Sequence, residues 1–348
     1  MFVVKLNKTQ FEYDIHSIVK AFYPEKDVKV LTPDSVIKDK EWFHREPNMW
    51  IDFWEDKIEV KAQGLYEFEL LASHMAYKDE FKKFLYRCLC KETEKTLPWG
   101  NLTGIRPTKI AMGMMENDKA DNEIMSYMET EHYVSKEKAK LSLDIAKREK
   151  RLLDSLHYEN GYSLYIGIPF CPTTCLYCSF TSYPICSWKN RMNEYLEAVF
   201  KEIDFVAKAY EHKILDTVYI GGGTPTTLEA EELDRLLTKV KSTFNFTNVK
   251  EFTVEAGRAD SITYDKLVVL KKHGVTRISI NPQTMKEETL KVIGRRHTVE
   301  QVIEAFHMAR ELGFDNINMD LILGLPGEME EDVLYTTEEI KKLKPDSL

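Results

Sequence analysis

Three cysteines, Cys171, Cys175 and Cys178, lie within twelve residues, Pro169–Phe180 (PFCPTTCLYCSF), at the spacing C-x3-C-x2-C. Thiolates are soft ligands that suit iron–sulfur clusters or zinc. Structural zinc sites take four protein ligands, usually as two C-x2-C pairs, and here there are three close thiols without an obvious fourth. The spacing therefore points to a cubane with one iron left without a protein ligand, open to substrate or cofactor. A degenerate zinc knuckle or three unrelated cysteines explain it less well. Cys88 and Cys90 fall in a helical stretch on different sides and read as small buried apolar groups. Cys186, eight residues past Cys178, reads as an ordinary thiol.

A second group of residues could hold a ligand beside those thiols. Gly221–Thr226 (GGGTPT) follows a strand-like run and precedes a helix. Glycines let backbone N–H and C=O groups approach a ligand closely, and Thr224 adds a hydroxyl. A glycine-rich loop alone is often only a turn; after a three-cysteine loop it gains weight. Glu255 ends FTVEAG, Gln283 follows RISINP, Arg295 sits in VIGRRH and Asp320 interrupts INMDLILGLPG. These are strand ends or the loops beyond them, where βα architectures bind ligands. A lone polar residue there is more often a helix cap. Asp320 is the exception, because a charge inside an apolar strand is costly without a partner.

The elements that position these residues alternate from Gly161 onward. Ser163–Ile168, Thr217–Ile220, Glu251–Glu255, Thr276–Ile280 and Asn316–Leu321 read as strands, with helices such as Val299–Leu312 between them. Alternation of this kind predicts a parallel sheet; a doubly wound sheet and a barrel share the pattern. Residues 1–160 differ. MFVVKL and Met49–Val60 read as strands, Lys78–Glu94 as a helix, Leu97–Thr108 (LPWGNLTGIRPT) as an irregular ordered loop, and Ser135–Leu156 as a capped connecting helix. Two domains follow, 1–160 and 161–348. The last residues, KPDSL, read as the start of a further strand, which predicts a chain that continues.

The whole chain limits the partners. With 48 Lys and Arg against 57 Asp and Glu, its net charge of −9 does not steer a polyanion, so nucleic acid is not expected as the main partner. The run Lys147–Arg151 (KREKR) fits the solvated face of a helix. No apolar run approaches the roughly 20 residues of a membrane span, and the N-terminus is apolar for four residues only, unlike a secretory signal. A reducing cytoplasm is the expected setting, with the six cysteines as thiols or metal ligands.

These motifs resemble the radical S-adenosylmethionine (SAM) superfamily and, within it, the oxygen-independent coproporphyrinogen III oxidases (dehydrogenases) and their haem-chaperone relatives. YIGIPFCPTTCLYC looks like that group's cluster loop, and GGGTPT and MDLILGLPG look like two more of its blocks. PWGNLTGIRPTKIAM, ahead of such a core, resembles the branch called HemZ. The resemblance implies a partial (β/α)6 barrel, cut short at its C-terminus and preceded by an α+β domain. It also implies a [4Fe–4S] cluster on Cys171, Cys175 and Cys178. Tyr165 and Tyr177 would flank SAM, Gly222, Gly223 and Thr224 would line it, and Glu255, Gln283, Arg295 and Asp320 would complete its polar contacts.

In that family one electron cleaves SAM to a 5′-deoxyadenosyl radical, which abstracts hydrogen from a porphyrinogen propionate, and the propionate loses CO2 and becomes a vinyl group. Cluster and cofactor carry the chemistry. The implied partners are coproporphyrinogen III or haem, and a low-potential electron donor such as flavodoxin or ferredoxin. Two positions depart from the decarboxylases. Their additional cysteine, forming C-x-C, is Phe180 here, as in the chaperone branch, and their histidine is Gly167. Other radical chemistry, such as methyl transfer or tRNA modification, and a zinc-binding interaction module are the further readings.

Overall fold

The computed structural model describes residues 1–36, 45–69, 77–104 and 106–348. They form two compact units, Met1–Leu153 and Asp154–Leu348.

The first unit is α+β. Strands β1 (Phe2–Leu6), β2 (Val28–Leu31), β3 (Met49–Phe53), β4 (Lys57–Lys61) and β5 (Leu65–Glu69) form one sheet in the order β2-β1-β3-β4-β5. β1 is parallel to both its neighbours, and β3, β4 and β5 run antiparallel. The single strand expected over Met49–Val60 is thus a hairpin, because the polar Glu55–Asp56 turn reverses the chain. Helices α1 (Glu12–Phe22) and α2 (Tyr77–Thr93) bury Ile15, Ile18, Phe22, Phe81, Leu85 and Leu89 with the sheet's apolar residues. Cys88, in that core, has its thiol pushed up to about 12 by burial, which leaves it inert. Three further helices, α3 (Thr108–Glu116), α4 (Asp121–Glu131) and α5 (Lys136–Leu153), share a smaller core of Ala111, Ile124, Met128, Leu143 and Ala146. Within the Leu97–Thr108 loop, Ile105 lies outside the described residues.

The second unit is a parallel sheet of β6 (Gly161–Ile168), β7 (Ile214–Gly222), β8 (Glu251–Glu255), β9 (Arg277–Ser279) and β10 (Ile317–Asn318). All pairings are parallel and every strand lies next to its predecessor in sequence. A doubly wound sheet reverses its strand order part-way; this one does not, and its order is that of a partial (β/α) barrel. Ser347 makes a parallel bridge to Asn318. The helices α6 (Met192–Ala209), α7 (Ala230–Thr243), α8 (Tyr264–Lys272), α9 (Glu287–Val292), α10 (Val299–Glu311) and α11 (Glu330–Leu343) join the strands. α10 starts where the sequence dictates: the Thr298 hydroxyl accepts from Gln301 N–H at 3.2 Å and the Gln301 side chain accepts from Thr298 N–H at 3.0 Å.

Period-two alternation divides the faces of β6. Leu164, Ile166 and Ile168 are buried in the core shared with α6, α7, α8 and α10, while Ser163, Tyr165 and Gly167 are exposed. Among the described residues no helix is long and apolar enough to cross a membrane.

Candidate functional site: a three-thiol loop over a polar rim

The loop after β6 is closed and tied down. Phe170–Cys171 pairs with Tyr183–Pro184. Within the turn in which Cys178 N–H donates to the Cys175 carbonyl at 3.1 Å, Leu176 N–H donates to the Ile293 carbonyl at 2.9 Å. The Thr173 hydroxyl donates to the Gly294 carbonyl, also at 2.9 Å. Gly294 has φ of 79°, and a Cβ there would stand 3.2 Å from the Thr174 carbonyl, so a glycine suits the position twice over. All three thiols are free, Cys171 buried and Cys175 and Cys178 half-buried. Burial pushes the Cys171 thiol up, while the Thr224 and Ser182 hydroxyls and the charge of Arg258 pull it down.

The glycine-rich loop lies directly against the thiols. Gly223 N–H donates to the Ile168 carbonyl and Thr224 N–H to the Phe170 carbonyl, each at 2.7 Å. The Thr224 hydroxyl is 3.4 Å from Cys171 Sγ. A Cβ on Gly223 would come within 2.6 Å of the Phe170 carbonyl and 3.0 Å of Cys171 Sγ. Only a residue without one lets the two loops approach this closely. Lys266, buried, donates from Nζ to the Thr226 carbonyl at 2.8 Å and holds the far end of the loop.

The rim residues divide into two connected groups. Tyr165 stacks on Tyr219 with ring centroids 5.8 Å apart, and the Tyr219 hydroxyl donates a short hydrogen bond to Glu255. Burial raises the Glu255 carboxyl, the Gly222 N–H and Tyr219 bonds pull it down, and the charge of Asp320 raises it further. Gln283 is buried with φ of 68°, a strained backbone of the kind that persists where surrounding structure fixes it, often at ligand sites. Gln283 N–H donates to the Asp320 carbonyl at 3.0 Å. On the other side, buried Arg295 donates from Nε (3.2 Å) and Nη2 (3.0 Å) to the Tyr177 hydroxyl, and from Nη1 to the Asn281 carbonyl at 2.7 Å.

Asp320 requires a correction. It is not a charge inside a strand, since β10 ends at Asn318. Asp320 is exposed and accepts from Asn318 Nδ2 at 2.8 Å, so it bears no burial cost that would demand a partner. It does stand beside Gln283 and within electrostatic reach of Glu255.

Three residues of the site went unread in the sequence. Tyr219 had a signal: two residues before Gly221 on a strand, it shares that residue's face. Arg258, three residues past the end of β8, is a buried cation reaching the thiol loop, and nothing local in AGRAD separates it from a surface arginine. His297 is 2% exposed, and neither ring nitrogen has a hydrogen-bond partner. The Pro282 carbonyl lies near enough to favour its charged form without forming a proper bond. Burial and the charges of Arg295 and Arg258 prevail and hold it neutral down to about 4.

The donor set suits a [4Fe–4S] cluster. It offers three reduced soft ligands, a glycine cradle that a single Cβ would fill, and a cation and hydroxyls beside the sulfurs to offset negative charge. Among the described residues no three His, Cys, Asp or Glu side chains group around a single ion; thiolates on separate irons of one cubane ask for no such grouping.

Residues 165–340 match the Radical SAM superfamily. The chain is 40% identical over 303 residues to the oxygen-independent coproporphyrinogen-III oxidase-like protein HemZ of Bacillus subtilis, covering 83% of this chain and 60% of that one. It is 42% identical to the heme chaperone HemW of B. subtilis over 48% of this chain and 43% of that one. The solved structure of coproporphyrinogen III oxidase (HemN) from Escherichia coli superposes with a TM-score of 0.50 at 29% identity, covering 57% of this chain and 45% of that one. The chain thus spans less than two thirds of the length of the curated relatives it matches.

Proposed function

The chain belongs to the radical SAM superfamily, and from that premise we propose that it carries out the oxygen-independent oxidative decarboxylation of coproporphyrinogen III propionates to vinyl groups, in the cytoplasm. Residues 161–348 form the radical core in this reading, and residues 1–160 an attached domain. The supporting observation is one site on a core related to a coproporphyrinogen III oxidase and to HemZ: a three-thiol loop seated on GGGTPT and facing a polar rim.

Members of the superfamily work with a [4Fe–4S] cluster and SAM, which together supply a radical that abstracts a hydrogen atom. Cys171, Cys175 and Cys178 would hold the cluster. Glu255, fixed through one oxygen by Tyr219, would present its negative charge to the cofactor's ammonium. Arg295, held between Tyr177 and the Asn281 carbonyl, would meet a carboxylate or a ribose oxygen. Gly222, Gly223 and Thr224 would let the backbone approach the cofactor; Tyr165, Gln283 and Asp320 would complete the rim. No group of this chain need move a proton for hydrogen abstraction; its task is to orient the cofactor and exclude water.

A second reading, a haem chaperone, is favoured by Phe180, 70% exposed, at the position of the decarboxylases' additional cysteine, together with Gly167 and the relationship to HemW. Anaerobic turnover of full-length protein with reductant, SAM and coproporphyrinogen III separates the two. Decarboxylation yields 5′-deoxyadenosine in step with CO2 and vinyl groups. Stoichiometric haem binding with coproporphyrinogen untouched would establish the chaperone instead.

A further inference from the structure

Arg258 is 3% exposed and lies beyond the end of β8, yet its guanidinium reaches into the thiol loop. Nη1 donates to the Thr173 carbonyl at 3.0 Å, to the Thr173 hydroxyl at 2.9 Å and to Cys175 Sγ at 3.7 Å. The opposite side of the fork is taken by Asp260, with Nε to Oδ1 at 3.0 Å and Nη2 to Oδ2 at 2.7 Å. Its charge acts on Cys171 as well as Cys175. An arginine cannot shed its proton in a protein, so a fixed positive charge stands against Cys175 and within electrostatic reach of Cys171, countered by a bidentate carboxylate two residues away.

A buried ion pair beside a loop is commonly structural, and Arg258 does anchor Thr173. The third bond argues for more. A structural anchor needs only the carbonyl and the hydroxyl, whereas the bond to Cys175 aims a charged donor at a sulfur. Donors and positive charge at the ligating sulfurs stabilise the more negative, reduced state of an iron–sulfur cluster.

We infer that the Arg258–Asp260 pair sets the reduction potential of the cluster, Arg258 raising it through Cys175 and Asp260 limiting the rise. This rests on the proposed [4Fe–4S] cluster on Cys171, Cys175 and Cys178. The step affected is the gain of one electron, from a low-potential one-electron donor, which adds one negative charge to the cluster and breaks no bond. Arg258 is a positioning and tuning residue; no role in touching substrate is assigned to it.

The test uses the reconstituted chain and four proteins: wild type, Arg258→Gln, Arg258→Lys and Asp260→Asn. Iron and sulfide are counted first, and the cluster is then titrated against dithionite with mediators, reading the EPR signal of the reduced form. Arg258→Gln is expected to shift the oxidised-to-reduced ratio about tenfold towards oxidised at the wild-type midpoint, a fall of ~59 mV for one electron. Asp260→Asn leaves the arginine charge uncompensated and shifts the ratio the other way, while Arg258→Lys stays closer to wild type. Equal potentials in fully loaded variants, or shifts of the same sign from Arg258→Gln and Asp260→Asn, overturn the inference. If Arg258→Gln loses iron, Asp260→Asn decides alone: a rise supports the tuning role, and no rise rejects it. A wild-type chain that takes up no iron removes the assignment of the cluster to Cys171, Cys175 and Cys178, and this inference with it.

Discussion

Arg295 grips the hydroxyl of Tyr177 with two of its nitrogens, at 3.2 and 3.0 Å, across 118 residues of sequence. The contact joins the thiol loop to the loop that follows α9. It also fixes where the guanidinium stands, because its remaining bonds, to the Asn281 and Gly257 carbonyls at 2.7 and 3.4 Å, come from one side only.

Tyr177→Phe removes that acceptor and keeps the ring. A hydrogen bond to a charged group contributes about 1.5–3 kcal/mol, so SAM affinity is expected to fall about tenfold or more, with the iron content unchanged. Isothermal titration of the reconstituted protein measures the first and iron analysis the second; an undiminished affinity would show that Arg295 needs no help from Tyr177.

Cys171→Ala, Cys175→Ala and Cys178→Ala should each abolish the uptake of about four irons and four sulfides per chain expected of one cubane. Gly223→Ala should do nearly as much without touching a ligand, since its Cβ meets the Phe170 carbonyl at 2.6 Å and Cys171 Sγ at 3.0 Å. Cys88→Ala and Cys90→Ala should load normally. Full loading of Cys175→Ala would sink the cluster assignment.

His297 predicts a pH dependence of stability. The folded chain holds its imidazole neutral down to about 4, whereas an unfolded histidine takes up a proton near 6.5. Between those values the unfolded state binds the extra proton. Stability should therefore fall as pH drops from about 6.5 towards 4, by up to roughly 3 kcal/mol from this residue, and be indifferent to it above that window. Urea midpoints for wild type and His297→Gln at pH 7.5 and 5.0 measure the difference: the variant should lose less stability on acidification.

Much of the core was legible because its strands alternate and its helices carry their own caps. Glu251–Glu255 read correctly at both ends, and Val299–Leu312 is one residue longer than the helix observed, with Thr298 marking its start. Distinguishing a barrel from a doubly wound sheet needed the order of the strands, which depends on pairing between distant segments. Met49–Val60 misled because its hairpin turn is built from Trp54–Asp56, without glycine or proline to mark it. Asp320 misled because apolar neighbours suggested a strand longer than Ile317–Asn318. Within the site, cysteine spacing and the glycine run carried their own signal. Arg258 carried none, since its burial and its bond to Cys175 depend on residues 83 positions away.

The anchoring of the thiol loop has a consequence for how a cluster enters it. Leu176 is bound to Ile293, and Thr173 to both Gly294 and Arg258, by bonds that involve no metal. Ordering a residue's backbone costs about 1–2 kcal/mol, and here fixed partners in the fold already bear part of that cost. The binding free energy of the cluster is then not consumed in ordering these residues, in contrast to zinc fingers, which are unfolded until their metal arrives. Cluster-free protein should accordingly protect the Leu176 amide from hydrogen exchange, and assembly of the holoprotein should be limited by delivery of iron and sulfide, with the receiving loop already in place.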